Sequence, residues 1–184
     1  MKRHIIKLLA ILLFTAALGS RAHAQIDVFL KLDGVPGESI DAVHAKEIEL
    51  MGCSFLVDQS GMNWAGGVAT AAKANITPIV LTKRADSASP LLFINNLLGT
   101  KTPKAVLTFR KAGAGGHFDF ITITLSDVYI SKYEFAGSTD GDQPTESVSL
   151  SFRTITYRFV PQKPDGSAGT PIERKFDIIA NKAL

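Results

Sequence analysis

Ile121-Thr122-Ile123-Thr124-Leu125-Ser126-Asp127-Val128-Tyr129-Ile130 alternates apolar and polar residues, but not in one phase. Odd positions are apolar as far as Leu125, and even positions take over at Val128. Alternation is the period of a strand with one buried face. A slip of one residue turns every later side chain to the other face. Such a strand must bulge, or bend from one sheet into another. The same slip recurs downstream: Val148, Leu150 and Phe152 are even, whereas Ile155, Tyr157 and Phe159 are odd. Two long strands that both change face predict a mainly β domain, a two-sheet β-barrel or sandwich.

The flanking segments agree. Asp27 to Leu32 reads as a strand with Val28, Leu30 and Leu32 on one side, ended by an Asp33-Gly34 turn. Lys46 to Val57, Ile76 to Thr82 and Lys104 to Arg110 read as further strands, the last with Leu107 and Phe109 inward. The glycine-rich run Lys111 to Gly116 joins two strands. Gln162 to Gly166 is a turn, and Ile172 to Ile179 is the closing strand. One short α-helix is expected at about residues 89–98. Ser89 is its N-cap, Pro90 its first residue and Gly99 its C′ residue. Leu91, Ile94 and Leu98 would form the face that docks on the barrel. Two loops are long, Gly34 to Ala45 and Ser60 to Ala72, and long loops in a compact domain are often functional surfaces.

The first 24 residues read as a cleavable signal peptide. Lys2, Arg3 and Lys7 precede an apolar run from Leu8 to Leu18, and Ala22-His23-Ala24 is a small-x-small site, so cleavage is expected between Ala24 and Gln25. The run is shorter than the roughly 20 residues of a transmembrane helix, so no stable membrane insertion is expected. An uncleaved anchor is the competing reading. The leader holds four of the chain's 20 basic residues and none of its 17 acidic ones. Residues 25–184 therefore carry 20 less four, or 16, basic residues against 17 acidic ones. That balance gives no support to nucleic-acid binding, which needs a basic stripe. Residues 25–184 are one domain's worth.

The chemistry of an enzyme is hard to find. There is no G-x-S-x-G, and the glycine-rich run lacks the G-K-[ST] of a phosphate loop. After the leader, His44 and His117 stand alone, with Cys53 the single cysteine of the chain; a metal site would need all three to meet in space. Asp140-Gly141-Asp142 resembles a fragment of a calcium loop but lacks the glutamate and the oxygen spacing, so it reads as a solvated turn. Glu38 or Asp58 could serve as a general acid, but nothing in sequence pairs with either. No catalytic, cofactor-binding or metal-ligating residue is expected.

Seven segments, in order, resemble one family. Phe29-Leu30-Lys31-Leu32-Asp33-Gly34-Val35-Pro36-Gly37-Glu38-Ser39 is similar to the opening strand and loop of the haemolysin-coregulated proteins, Hcp, which form the inner tube of the bacterial type VI secretion system. His44 to Ile48, Thr82 to Asp86 with the helix start Ser89 to Leu92, Leu107 to Gly113, Ile123 to Val128, Thr145 to Phe152 and Tyr157 to Gln162 continue the likeness. The chain departs from the family pattern at Met51 to Phe55 and at Phe176, where tryptophans are usual, and in its leader, which typical members lack. The resemblance implies a two-sheet barrel with one helix, a homo-oligomeric, hexameric ring that stacks into tubes, effector cargo, and no catalysis or cofactor. It also implies that the loop from Val35 to His44 is the ring or stacking interface, with Val35, Pro36, Gly37, Glu38, Ser39 and His44 as candidate contacts; an ordinary flexible connection is the alternative. Lys31 and Lys46 are candidates to line a lumen. The leader adds an expected route of secretion via the periplasm. It also raises a second reading, an exported binding or adhesive protein that uses this fold outside the tube.

Overall fold

The computed structural model describes residues 26–59, 63–65, 68–70, 73–113, 115–137 and 143–184. The leader with its Ala24–Gln25 junction, parts of the long loop from Ser60 to Ala72 and Asp140-Gly141-Asp142 lie outside the described residues. The strands are β1 (Asp27–Leu32), β2 (Ile48–Leu50), β3 (Gly52–Ser54), β4 (Val57–Asp58), β5 (Asn63–Ala65), β6 (Val68–Thr70), β7 (Asn75–Ile76) and β8 (Ile79–Arg84). Helix α1 (Ser89–Leu98) follows, then β9 (Lys101–Gly113), β10 (Gly116–Ala136), β11 (Thr145–Ser151), β12 (Thr154–Phe159), β13 (Ile172–Asp177) and β14 (Lys182–Ala183). Ten strands form one folded sheet; β4–β7 and β5–β6 are separate two-stranded ribbons.

The phase slip falls at Asp127, which takes a left-handed φ of 50° in the middle of β10. An aspartate tolerates that conformation better than most residues. Beside it the neighbouring strands also give way. In β9 the pairs Lys104↔Ser126 and Thr102↔Val128 bracket Pro103, which has no N–H to donate. On the other edge β11 stops at Ser151 and β12 starts at Thr154, with the Arg153 N–H donating to the Ser126 carbonyl at 3.0 Å. One crease therefore crosses three strands. Before it, β10 pairs with β12 and leads to β13 and β14; beyond it, β10 pairs with β11 and leads to β8 and β3. The two lobes close on a core that includes Leu30, Ile48, Ile79, Leu107, Ile123, Leu125, Val128 and Leu150. Ile123 and Leu125 reach it from one side of the slip, Val128 and Ile130 from the other.

The segment read as one strand from Lys46 to Val57 is three. β2 pairs with β1, but β3 pairs with β8, and the change of partner occurs across the exposed Met51. The sheet thus curls until its ends are joined through a single residue, and no strand carries the ladder all the way round as a closed barrel.

The helix has the expected span but not the expected cap or face. Ala88 is its N-cap, while the Ser89 hydroxyl accepts from the Asp86 N–H at 3.0 Å and from Lys83 Nζ at 3.1 Å. Gly99 ends it in the left-handed conformation, at φ 59°. Leu92 is the residue that enters the core, 1% exposed. Asn96 donates to the Ile130 carbonyl at 2.9 Å, and Phe93 meets Tyr133 edge-on. Leu91, Ile94 and Leu98, read as the docking face, lie instead on the solvent side with Leu97. Among the described residues no helix is long and apolar enough to cross a membrane.

Candidate assembly surface

The loop after β1 is fixed rather than loose. Gly34, at φ 80°, makes the turn, and the Val35 N–H donates to the Leu32 carbonyl at 3.0 Å. The Gly37 and Ser39 N–H groups donate to the Lys46 and Glu47 carbonyls at 2.8 and 3.1 Å, and the Lys46 N–H returns to Ser39 at 2.8 Å. Position 37 has no room for a side chain, because a Cβ would collide with the Glu47 carbonyl. That backbone-to-backbone approach is what glycine permits.

Charged side chains then pin the loop to the sheet. Asp41 Oδ1 accepts from the N–H groups of Val43 and His44, at 2.8 and 2.9 Å, and from Arg110 Nη1 at 2.7 Å. Arg110 Nε also donates to Asp119 at 3.1 Å. The His44 ring stacks on Phe29 of β1, 4.5 Å between centroids, with Nδ1 2.9 Å from Glu47 and Nε2 3.2 Å from Asp119. Between the anchors at Ser39, Asp41 and His44 the chain holds Ile40 and Val43 into solvent, 96% and 70% exposed. Two large apolar side chains bare on a fixed backbone form a surface suited to a partner.

The Asp41 carboxyl is held down to about 2, first by the His44 N–H, then by that of Val43; desolvation opposes them and Arg110 adds to the lowering. A depressed carboxylate stabilises the fold above its ordinary value and loses that contribution as pH falls through the folded one. We therefore expect the loop to stay pinned at neutral pH and loosen between the ordinary value of 3.8 and about 2. The amide NMR shifts of Val43 and His44, followed against pH, should titrate near the lower figure. A midpoint near 4 would mean that Asp41 does not hold the loop.

A second charged cluster lies under the start of α1. Lys83 Nζ sits 2.8 Å from Glu146 and 2.7 Å from Asp86, and Tyr133 Oη donates to Glu146 at 2.7 Å. Burial alone would raise the Glu146 pKa; its hydrogen bonds, led by that from Lys83, outweigh burial and leave it lowered. Burial, followed by the Glu146 contact, raises the Tyr133 phenol well above its ordinary range. This cluster ties β8, β10 and β11 to the helix. Its Lys83 and Glu146 side chains are closed off from solvent.

The sequence-derived candidates divide by face. Val35, Ser39 and His44 are buried in their own protomer, and Gly37 is half-buried. Pro36 and Glu38 are exposed, with Glu38 Oε1 accepting from the Ser87 N–H at 2.9 Å. Lys31 and Lys46 are exposed beside the loop. Ile40 and Val43 fall inside the loop read from Val35 to His44 but were not among its named candidates; their exposure follows from the anchors around them rather than from any periodicity. His44 and Cys53 do not converge, since the histidine is taken up by Glu47 and Asp119 and Cys53 pairs with Leu81 in β3–β8.

The described residues make a strand-rich, creased fold with one helix and a pinned loop after β1, and proteins of known class share it. Residues 29–159 match the family model of the type VI secretion system effector Hcp. The chain belongs to the Hcp family of type VI secretion system tube proteins, a structural rather than an enzymatic family. It is 36% identical over 157 residues to protein hcp1 of Pseudomonas aeruginosa, covering 85% of this chain and 97% of that one. A solved type six secretion system protein superposes with a TM-score of 0.81 at 29% identity, covering 87% of this chain and 100% of its own. Hcp1 from Salmonella typhimurium superposes at 0.72 with 32% identity, over 86% and 99% of the two chains.

Proposed function

We propose that the protein is a ring-forming subunit of a type VI secretion tube that carries effectors. Protomers join head to tail into a closed hexamer, and the hexamers stack. The observation that carries the reading is the pinned loop with Ile40 and Val43 bare at its tip; the uncovered outer side of α1, with Leu97 and Leu98, adds a second apolar surface on the same protomer. A head-to-tail ring needs two different patches on each subunit. Sedimentation velocity on the purified protein should give a hexamer at roughly tens of micromolar protomer. A monomer at that concentration would overturn the ring.

The leader pattern favours a second reading, export through the periplasm followed by binding or adhesion outside the tube. The two separate on one observation, N-terminal sequencing of the native protein after cell fractionation. A start at Gln25 in the periplasm or medium supports processed export; an intact Met1 in the cytosol sinks it and leaves ordinary tube assembly.

A further inference from the structure

The outer face of the sheet, on the side away from the core, carries charge in a pattern that the fold does not use. Residues paired across antiparallel strands point to the same face. One row runs Lys31↔Val106↔Thr124↔Thr156↔Lys175 across β1, β9, β10, β12 and β13. The next runs Lys104↔Ser126↔Thr154↔Asp177↔Lys182. Lys31, Lys104, Lys175 and Lys182 are exposed. Among the described residues none of the four makes an ion pair. Asp177 is already engaged by Arg153 and the Ala180 N–H. Four interstrand steps put Lys31 and Lys175 roughly 19 Å apart, with an uncharged Val-Thr-Thr floor between them. The loop that pins onto Arg110 and Phe29 covers the same face further along β1 and β9 and leaves this part open.

We propose that this lysine-edged face docks an acidic surface of a partner protein. The inference deepens the carrier reading above, on which the partner's role as cargo rests. A neutral floor with cations at its margins matches carboxylates spread over a folded surface. It does not match a polyphosphate, whose charges recur every ~1.7 Å along a duplex and call for a continuous basic stripe. The attraction is local, because residues 25–184 carry 16 basic and 17 acidic residues.

The test is fluorescence anisotropy at low salt with labelled poly-L-glutamate and, separately, a labelled single-stranded oligonucleotide. The purified protein should bind polyglutamate and release it as salt rises. Lys31→Glu with Lys175→Glu should weaken binding at least about tenfold, since like charges then face the probe. Lys132→Glu with Lys163→Glu, an equal charge change elsewhere, should leave it within about twofold. Equal losses in both variants, no binding by the wild type, or oligonucleotide binding as tight as polyglutamate would each overturn the proposal. Melting curves establish that the variants fold. Sedimentation of the same samples keeps the two readings apart: binding without a ring removes only the ring, and a ring without binding removes only the docking face.

Discussion

Lys83→Met should cost about 3–5 kcal/mol of unfolding free energy, because it strands a buried carboxylate without its cation. In a domain of this size that is a fall in Tm of roughly 6–20 °C. The Glu146 side chain has no exposure at all and Lys83 has 1%, so neither charge can turn to water when the other is removed. The two directions of disruption are unequal. Without Lys83, both Glu146 and Asp86 lose their cation. Without the Glu146 charge, Lys83 keeps Asp86 at 2.7 Å, so Glu146→Gln should cost clearly less than Lys83→Met. Lys83→Met with Glu146→Leu should recover most of the loss, since an apolar pair of similar volume needs no desolvated charge. Acid weakens the effect. The native Glu146, lowered by its contacts, contributes stability above its ordinary value and loses it as pH falls through the folded one. In Lys83→Met the same carboxyl, buried without its cation and left with Tyr133, is more easily protonated, so the gap between variant and wild type should narrow as pH drops. Denaturant melts at neutral and acid pH measure both effects. Equal losses for Lys83→Met and Glu146→Gln, or a gap that widens in acid, would show that the cluster is not what binds the helix to the sheet.

How far such features were visible in the sequence depends on where their partners lie along the chain. β1 was readable to the residue because its apolar side and its Asp33-Gly34 turn are local. The crease was readable because a change of phase leaves its mark within one strand, at Asp127 in β10 and at the break between β11 and β12. Met51 was not, because the switch of partner from β1 to β8 depends on strands about twenty residues before it and about thirty after it. Ser89 satisfies the local rule for an N-cap. Lys83, itself held by Glu146 from another strand, draws its hydroxyl elsewhere. A helix stripe at i, i+3 and i+7 shows that one side is apolar, but not whether that side meets the core. Here Leu92 meets it, and the stripe faces out. The loop is the sharpest case. The resemblance of the opening segment pointed at Val35 to His44, but only Arg110 and Asp119, from β9 and β10, decide that His44 turns in and Ile40 turns out.

That division within the loop separates two substitutions that the sequence would treat alike. Val35→Asp should prevent folding, because Val35 is 4% exposed within the core cluster and a buried unpaired carboxylate is far costlier than the protein's margin of stability allows. Ile40→Asp with Val43→Asp should leave the protomer intact. Both side chains already face water, and such surface changes usually lie within about 0.5 kcal/mol. Their expected effect is on assembly. If the loop tip seats in a neighbouring protomer, two carboxylates must be desolvated at each contact. Apolar anchors at the centre of an interface are commonly worth about 2 kcal/mol or more each. Repeated around a closed ring, that loss should convert a stable hexamer to monomers at concentrations where the wild type is fully assembled. Sedimentation velocity reads the mass, and thermal melting in the same buffer shows that the fold survives. Arg110→Met supplies the companion case: it keeps Ile40 and Val43 but frees Asp41 and Asp119 from their shared cation, so the tip should lose its fixed position and the ring should weaken while the hydrophobic contacts remain available. If the aspartate pair leaves the hexamer unchanged, Ile40 and Val43 are not the contact, whatever Arg110→Met does. If the aspartate pair dissociates it and Arg110→Met does not, the contact is made by the side chains alone and the charged anchors serve only the protomer.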